Sequence, residues 1–221
     1  MSLIIKNLKK SYHQGDENIE ILRGLNAEIG QGRIVAIVGR SGSGKSTLLS
    51  LLAGLEGADS GRIEIDGTDI TGLSEKELTD FRARRISIVF QQYHLVSHLT
   101  ALENVMLPLE ILGRDQAREK ATALLKRMGL EHRLHHVPGK MSGGECQRVA
   151  IARALVVEPK ILLADEPSGN LDTDTGDKVM DLFFEMARST GITTILVTHS
   201  ESLAARCQQI LRLSHGQFEV V

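Results

Sequence analysis

Gly39-Arg40-Ser41-Gly42-Ser43-Gly44-Lys45-Ser46-Thr47 completes the pattern G-x-x-x-x-G-K-[ST], directly after the apolar run Ile34-Val35-Ala36-Ile37-Val38. An apolar strand, a glycine-rich turn and a helix, in that order, form the setting in which such a loop binds phosphate. Glycines let backbone N–H groups close around an anion, and the positive end of the helix dipole faces that anion. The stretch therefore predicts a site for a nucleoside triphosphate.

The last residues of the loop carry the polar chemistry. Lys45 would place an ammonium charge at the β- and γ-phosphates, and the Ser46 hydroxyl would ligate Mg²⁺. The stretch Asn-Lys-x-Asp does not occur in the 221 residues, which disfavours GTP. ATP with Mg²⁺ is the expected ligand.

Composition limits the other classes of function. The chain is 42% hydrophobic and 24% charged with a formal net charge of −2, values typical of a globular domain that lacks a global basic field. Nucleic acid is therefore not expected as a partner. Cys146 and Cys207 lie far apart, which favours a reducing compartment, and no apolar stretch reaches the ~20 residues that span a bilayer. If the protein works at a membrane, another chain must hold it there.

Hydrophobic periodicity divides the chain into three parts. Short strands are predicted at 3–8, 19–29, 34–38, 61–65 and 86–90, the fourth closing on an Asp66-Gly67 turn. Residues 92–158 are predicted to be mostly helical, with a capping box at Thr100 and Glu103 and an interruption at Pro108. Strands and helices alternate again from 161 to 213. This order predicts an α/β parallel sheet core that carries a helical insert.

Two carboxylates follow the buried-type strand 161–164. The ends of parallel strands are where α/β sheets place their ligands. Asp165 is expected to hold Mg²⁺ through water, and Glu166 to act as the base that polarises the attacking water. Adjacent acids can also simply begin a loop, but a phosphate loop upstream favours the catalytic interpretation.

The stretch Ser142-Gly143-Gly144-Glu145 predicts a second helix N-terminus. Ser142 and Glu145 have capping-box spacing, and the two glycines leave the N–H groups open to an anion. A capped helix without any ligand would show the same pattern.

Together these motifs resemble the ATP-binding cassette of ABC transporters over the whole chain. Ser142 to Glu145, followed by Gln147-Arg148-Val149-Ala150, resembles the signature motif of that family. Gln91 matches the Q-loop glutamine, which in the family ligates Mg²⁺ and senses the membrane subunit. The stretch 168–172, with Asp172, matches the D-loop, and His199 matches the switch histidine that contacts the γ-phosphate. Tyr12 lies where the family stacks an aromatic ring on adenine.

The resemblance implies the P-loop NTPase fold, with a RecA-like parallel sheet core, an N-terminal antiparallel β subdomain and a helical signature subdomain. Residues 1–221 would form one ABC ATPase domain, with 1–91 and 159–221 as core and β subdomain and 92–158 as the helical subdomain. Two chains would pair head to tail around two ATPs. One chain would supply Tyr12, Gly39 to Thr47, Gln91, Asp165, Glu166 and His199, with Lys45, Glu166 and His199 catalytic and with Ser46, Gln91 and Asp165 around Mg²⁺. The second chain would supply Ser142, Gly143, Gly144, Glu145 and Asp172.

Further stretches resemble the lipoprotein-release and macrolide-efflux group of cassettes, which also includes a cell-division cassette. They are residues 66–70, 81–92, 99–109 and 164–172, together with Glu145 where many cassettes have Gln. Met141 and Ser168 depart from the commoner Leu and Thr without removing a phosphate-contacting group. Members of the group serve membrane subunits that carry large domains outside the membrane.

Residues 91–112 are expected to contact such a permease subunit, with Tyr93, Leu95, Val96 and Leu99 exposed for a coupling helix. The same side chains could instead pack inside the helical subdomain. The resemblance implies a peripheral location at the cytoplasmic face of the inner membrane. An amino-acid-type importer cassette is the alternative, and a soluble ABC regulator is disfavoured because the chain has neither a second cassette nor a long coiled-coil insertion.

Overall fold

The computed structural model describes residues 2–15 and 17–219. The strands are β1 (Leu3–Gln14), β2 (Glu17–Ile29), β3 (Ile34–Val38), β4 (Ser60–Ile65), β5 (Thr68–Asp69), β6 (Ile86–Val89), β7 (Ile161–Asp165), β8 (Thr193–Val197), β9 (Gln209–Ser214) and β10 (Gln217–Glu219). The α-helices are α1 (Lys45–Leu52), α2 (Glu75–Arg85), α3 (Ala101–Ile111), α4 (Ala117–Arg127), α5 (Gly143–Leu155), α6 (Thr173–Thr190) and α7 (Glu201–Ala204). Residues 1–82 with 191–221 form one compact unit, and residues 83–190 form the other.

The first unit holds an antiparallel sheet in the order β2-β1-β4-β5. Leu3 pairs with Ile29 on one side and with Ile65 on the other, and all three side chains are buried. Asp66 and Gly67, both at positive φ, make the turn into β5. The expected antiparallel β subdomain is therefore present, although β1 runs to Gln14 rather than ending at residue 8.

The same unit contains the strands that lead into the glycine-rich loop. β3 lies between β8 and β9 and runs parallel to both, while β10 pairs antiparallel with β9. Residues 34–37 are buried, as the apolar run requires of a central parallel strand. Consequently the loop after β3 and the loop after β8 leave the sheet at the same edge. The short strand β10 was not predicted.

The second unit combines the parallel pair β6 and β7 with the longer helices. Its core consists of buried apolar side chains from α3, α4, α5, α6 and β7, including Val105, Leu109, Leu125, Val149, Ile151, Leu162, Phe183 and Phe184. The capping box at Thr100 and Glu103 is confirmed, because each side chain bonds the other residue's backbone N–H.

Pro108 does not interrupt α3, which was expected to break there. The helix continues to Ile111, so Pro108 lies in its last turn, and the Pro108 carbonyl accepts the hydrogen bond of Leu112 N–H at 3.2 Å. Proline costs an interior helix one hydrogen bond, and the burial of Val105 and Leu109 on the same helix offsets that loss.

Candidate nucleotide-binding site

The glycine-rich loop joins buried β3 to α1, as predicted. Gly42 and Gly44 have φ values of 77° and 98°, in the left-handed region where a side chain is strained. A methyl group on Gly39 would overlap the Leu213 carbonyl oxygen, and one on Gly44 would come within 2.8 Å of the Ile21 side chain. The glycines are therefore required by the fold of the loop and by its close packing.

Lys45 turns back over this loop. Its Nζ donates to the carbonyl oxygens of Gly39 at 2.9 Å and Arg40 at 3.0 Å. The ammonium group is thus held at the open end of α1, beside the backbone N–H groups of the helix N-terminus. Ser46 and Thr47 occupy the first turn of the helix. The ammonium charge, the positive end of the helix dipole and the N–H groups of the loop together suit the binding of a triphosphate.

Two further predicted residues lie in the first unit. His199 follows β8, and because Val197 pairs with Ile37 in parallel register, His199 emerges at the same sheet edge as Gly39. Thr198 N–H donates to the Ile37 carbonyl at 3.2 Å and fixes that exit. Tyr12 lies on β1 opposite Ile19, and 38% of its surface is exposed.

In the second unit, Gln91 and the two acids leave neighbouring parallel strands at one edge. Val89 pairs with Ala164, so Gln91 after β6 and Asp165 with Glu166 at the end of β7 share that edge. Glu166 has a φ of 45°, an uncommon backbone conformation for a residue with a side chain. Such local strain often marks functional positions.

Asn170 ties the D-loop to the Q-loop. Gln91 Nε2 donates to Asn170 Oδ1 at 3.0 Å, and Asn170 Nδ2 donates to the Gln91 carbonyl at 3.1 Å. Gly169 packs so closely that a methyl group there would lie 2.8 Å from Gln91 Nε2. Asn170 lies in the stretch 168–172 that was matched to the D-loop, but only Asp172 of that stretch was predicted as a site residue. Nothing in the sequence pattern shows which amide partner Gln91 takes.

The signature stretch forms the capped helix start that was predicted. Ser142 Oγ accepts from Glu145 N–H at 3.2 Å, and Ser142 N–H donates to the Glu145 carboxylate at 2.8 Å. Arg133 Nε donates to the other Glu145 oxygen at 2.7 Å. The backbone hydrogen bond from Ser142 and the one from Arg133 lower the pKa of Glu145, against the burial that alone would raise it.

Gly143 and Gly144 also permit close packing, which the sequence did not indicate. A methyl group on Gly143 would lie 2.7 Å from the Tyr93 hydroxyl, and one on Gly144 would lie 2.5 Å from Thr175 Cγ2. Ser142 and Gly143 remain exposed while Gly144 is buried. The helix therefore presents its first N–H groups to solvent and packs the next turn against α6.

Asp172 caps the following helix. Its Oδ1 accepts from Thr175 N–H at 3.0 Å, and this backbone hydrogen bond lowers the pKa of the carboxyl group. The residue is exposed just before α6. An exposed carboxylate at a helix start can serve as a cap and as a contact for another chain.

The stretch after Gln91 is held by a half-buried arginine of α5. Arg153 of α5 donates to the carbonyl oxygens of Tyr93 at 3.0 Å and His94 at 2.6 Å. Four side chains of this stretch are half-buried, namely Tyr93, Leu95, Val96 and Leu99. Their exposure is intermediate between the two possibilities considered from the sequence, full exposure for a coupling helix and packing inside the helical subdomain.

Cys146 is buried, and burial raises the pKa of its thiol. No group of three or more metal-ligating side chains occurs in the described part of the chain.

Comparison with known proteins identifies the class that this fold and these loops define. The sequence profile of the ABC transporter family matches residues 22–169. An uncharacterized ABC transporter ATP-binding protein, YbbA of Escherichia coli K12, is 47% identical over 217 residues, covering 97% of this chain and 95% of the relative. The lipoprotein-releasing system ATP-binding protein LolD of Pseudomonas syringae pv. tomato is 48% identical over 218 residues, covering 97% and 96%.

A solved structure extends the match to the fold. A dimeric ATP-binding cassette in a post-hydrolysis state, bound to ADP and Pi, superimposes with a TM-score of 0.89 at 41% identity, over 99% of this chain and 97% of that one. The chain belongs to the ABC transporter family. It is an ABC-type ATPase with the expected P-loop NTPase fold, and its relatives include members of the lipoprotein-release group.

No helix in the described residues is long and apolar enough to cross a membrane.

Proposed function

We propose that this ATPase drives a membrane complex by closing and opening as a homodimer around two ATP molecules. The observation that carries the proposal is the loop after β3, where Lys45 and two positive-φ glycines build a phosphate cradle at the start of α1. The exposed N-terminus of α5 is the second anion site, to be completed on the other chain's nucleotide.

The proposed roles follow the chemistry of each side chain. Lys45 and the loop N–H groups hold the β- and γ-phosphates, and His199 contacts the γ-phosphate. Glu166 accepts the proton of the attacking water as general base. Ser46 and Gln91 would supply oxygen donors for Mg²⁺ and Asp165 would hold the ion through water; when bound, the ion would neutralise phosphate charge.

The second chain would bind the same nucleotide through its signature helix. The Ser142 hydroxyl and the N–H groups of Gly143 and Gly144 would face the γ-phosphate, with Asp172 at the chain interface. Glu145 would act by holding the helix start in place. Nucleotide thus supplies the attraction between chains, and hydrolysis weakens it. That cycle is the proposed power stroke.

We further propose that residues 91–112 bind a permease subunit of the inner membrane, at its cytoplasmic face. Support comes from the likeness to LolD relatives and from the half-buried apolar side chains of this stretch. The complex would act in export, lipoprotein release or mechanical transmission. The cargo would be selected by the membrane subunits.

The first test is E166Q, with E185Q, an exposed glutamate of α6, as the matched control. E166Q should keep ATP binding, lose about 10²-fold or more in turnover, and accumulate as a dimer with ATP and Mg²⁺, because a general base contributes on that order. E185Q should behave as wild type. Wild-type turnover in E166Q would overturn the assignment of the base.

The second test identifies the partner. Tagged E166Q is expressed in its native host, and membranes are extracted with detergent, ATP and Mg²⁺. Copurification of a subunit with four membrane spans and a large extracytoplasmic domain supports the proposal. A six-span permease would favour the importer, and the absence of any membrane protein would favour a soluble regulator.

A further inference from the structure

Tyr12 is held by its hydroxyl. Its Oη donates to Glu56 Oε2 at 2.6 Å, and Glu56 lies in the loop between α1 and β4. The two residues are 44 positions apart in sequence, so the fold brings them together. A half-exposed side chain near the end of β1 is thereby fixed to the loop that follows α1.

Glu56 is itself fixed by Lys10. Lys10 Nζ lies 3.1 Å from Glu56 Oε1, so the two carboxylate oxygens are divided between the lysine and the tyrosine. The ammonium group also donates to the Gly57 carbonyl at 2.9 Å and lies 3.6 Å from Asp59. Only 13% of the Lys10 side chain is exposed. Burial alone would lower the pKa of Lys10, but the hydrogen bond and charge of Glu56 act together with the charge of Asp59, and the pKa is raised.

This cluster also orients the ring. The Lys10 ammonium lies over the Tyr12 ring, 5.2 Å from its centroid, a cation–π arrangement. Tyr12 pairs across the strands with Ile19, and each is 38% exposed. The charged cluster therefore holds the phenol from one side, while the Tyr12 ring and the Ile19 side chain form an apolar surface that is partly open to solvent. Such a surface suits the stacking of a flat, uncharged heteroaromatic ring.

We propose that Glu56 is a positioning residue that holds Tyr12 as a preformed platform for the base of the bound nucleotide. The inference rests on the proposed binding of ATP at Tyr12. Glu56 would not touch the nucleotide. It would act by limiting the rotamers of Tyr12, so that less side-chain freedom is lost when the base binds.

The phenol stays a donor at neutral pH. Burial raises the pKa of the Tyr12 hydroxyl, and its hydrogen bond to Glu56 raises it further, whereas a hydrogen bond with Thr47 acts in the opposite direction. At neutral pH the protonated phenol therefore donates to Glu56.

The hydrogen bond between Tyr12 and Glu56, called the tether below, can be observed without nucleotide. The chain contains no tryptophan and two tyrosines, so Y93F leaves Tyr12 as the sole source of tyrosine emission. In this background E56A should shift the near-UV absorption of Tyr12 and increase its emission, because the carboxylate acceptor is lost. E64Q removes a carboxylate from β4 that pairs with Arg62 at 2.9 Å, and should leave both signals unchanged. Identical spectra for E56A and its parent would overturn the tether.

The effect of the tether on nucleotide binding is tested by measuring KM and kcat for ATP in variants of the otherwise wild-type protein. E56A should raise KM for ATP about fivefold with kcat unchanged, the effect of ~1 kcal/mol of lost side-chain ordering. Y12F, which keeps the ring but removes the hydroxyl, should raise KM equally, and the double variant E56A/Y12F should raise it no further. Additive effects of the two changes would overturn the positioning role.

The two proposals fail in different ways. If K45A hydrolyses ATP normally, the proposed nucleotide site is wrong. If K45A is inactive and E56A changes the Tyr12 spectrum but leaves KM unchanged, the tether exists and its role in nucleotide binding is refuted. Should E56A fail to fold, Y12F alone carries the test, because it deletes a single oxygen atom and keeps the ring.

Discussion

Replacement of Asn104 by alanine should destabilise the segment that precedes α3. Asn104 is 0% exposed, and its Nδ2 lies 3.1 Å from the Val96 carbonyl and 3.0 Å from the carbonyls of Leu99 and Thr100. Val96 N–H donates to Oδ1 at 2.8 Å. One buried amide, with two donor hydrogens and one acceptor oxygen, thus contacts four backbone groups of the stretch proposed to meet the membrane partner.

The expected magnitude follows from these contacts. Each hydrogen bond contributes about 1 kcal/mol net, and each buried group left unpaired costs about 1–3 kcal/mol. The carbonyls of Val96 and Thr100 keep the backbone N–H groups of Leu99 and residue 104 as partners, so the Val96 N–H and the Leu99 carbonyl are the groups that lose their protein partner. N104A should therefore lose about 3 kcal/mol of the free energy of unfolding. For a chain of this size that corresponds to a fall in midpoint temperature of about 6–12 °C.

Urea unfolding followed by circular dichroism, together with a thermal scan, measures this loss. N18A, at an exposed asparagine of β2, is the matched control and should change stability by no more than about 0.5 kcal/mol. A loss below about 1 kcal/mol in N104A would contradict this expectation, because the contacts of Asn104 would then contribute nothing beyond what water supplies.

Three other predictions concern the signature helix. The pKa of Glu145 is lowered, chiefly by the hydrogen bond from the backbone N–H of Ser142. The ionised carboxylate therefore stabilises the fold fully above pH 4.5, its ordinary pKa, and this contribution is lost as pH falls through the folded-state pKa. In E145Q the free energy of unfolding should accordingly fall less steeply below pH 4.5, the acid limb of the stability profile. G144A should lose about 1–3 kcal/mol by overlap with Thr175 Cγ2, and T175S should relieve most of it. Cys146 should react with a thiol reagent at least about tenfold more slowly than half-buried Cys207, as mass spectrometry of labelled peptides would show.

Each of these has a control in the chain. E158Q alters an exposed glutamate and should keep the acid limb that E145Q loses. G139A alters a glycine with open space at its Cβ position, and it should cost far less than G144A. Equal acid limbs, equal losses for the two glycines, or equal labelling of the two cysteines would contradict the corresponding argument.

Local signals predicted most of the architecture. The apolar run 34–37, the glycine-rich loop and the helix after it are consistent with one another, and the capping boxes at Thr100 and Ser142 define helix starts within a residue. Prediction was wrong at Pro108, because burial of the surrounding helix outweighs one missing hydrogen bond.

The supporting contacts could not be predicted, because they join residues distant in sequence. Gln91 and Asn170 are 79 positions apart, Arg153 and Tyr93 are 60 apart, and Tyr12 and Glu56 are 44 apart. No periodicity or short motif records such pairs. The motifs therefore identify the groups that would meet nucleotide, while the side chains that hold those groups emerge only from the fold.

In the proposed mechanism, each ATP is processed by the phosphate loop of one chain and the signature helix of the other. Subunit mixing tests it most directly: K45A disables the first, and S142R, at an exposed helix cap, disables the second. Random pairing makes half of the dimers mixed, each with one intact composite site of two, so an equal mixture should recover about a quarter of wild-type ATPase activity. Activity no greater than the average of the two variants measured alone would contradict the claim.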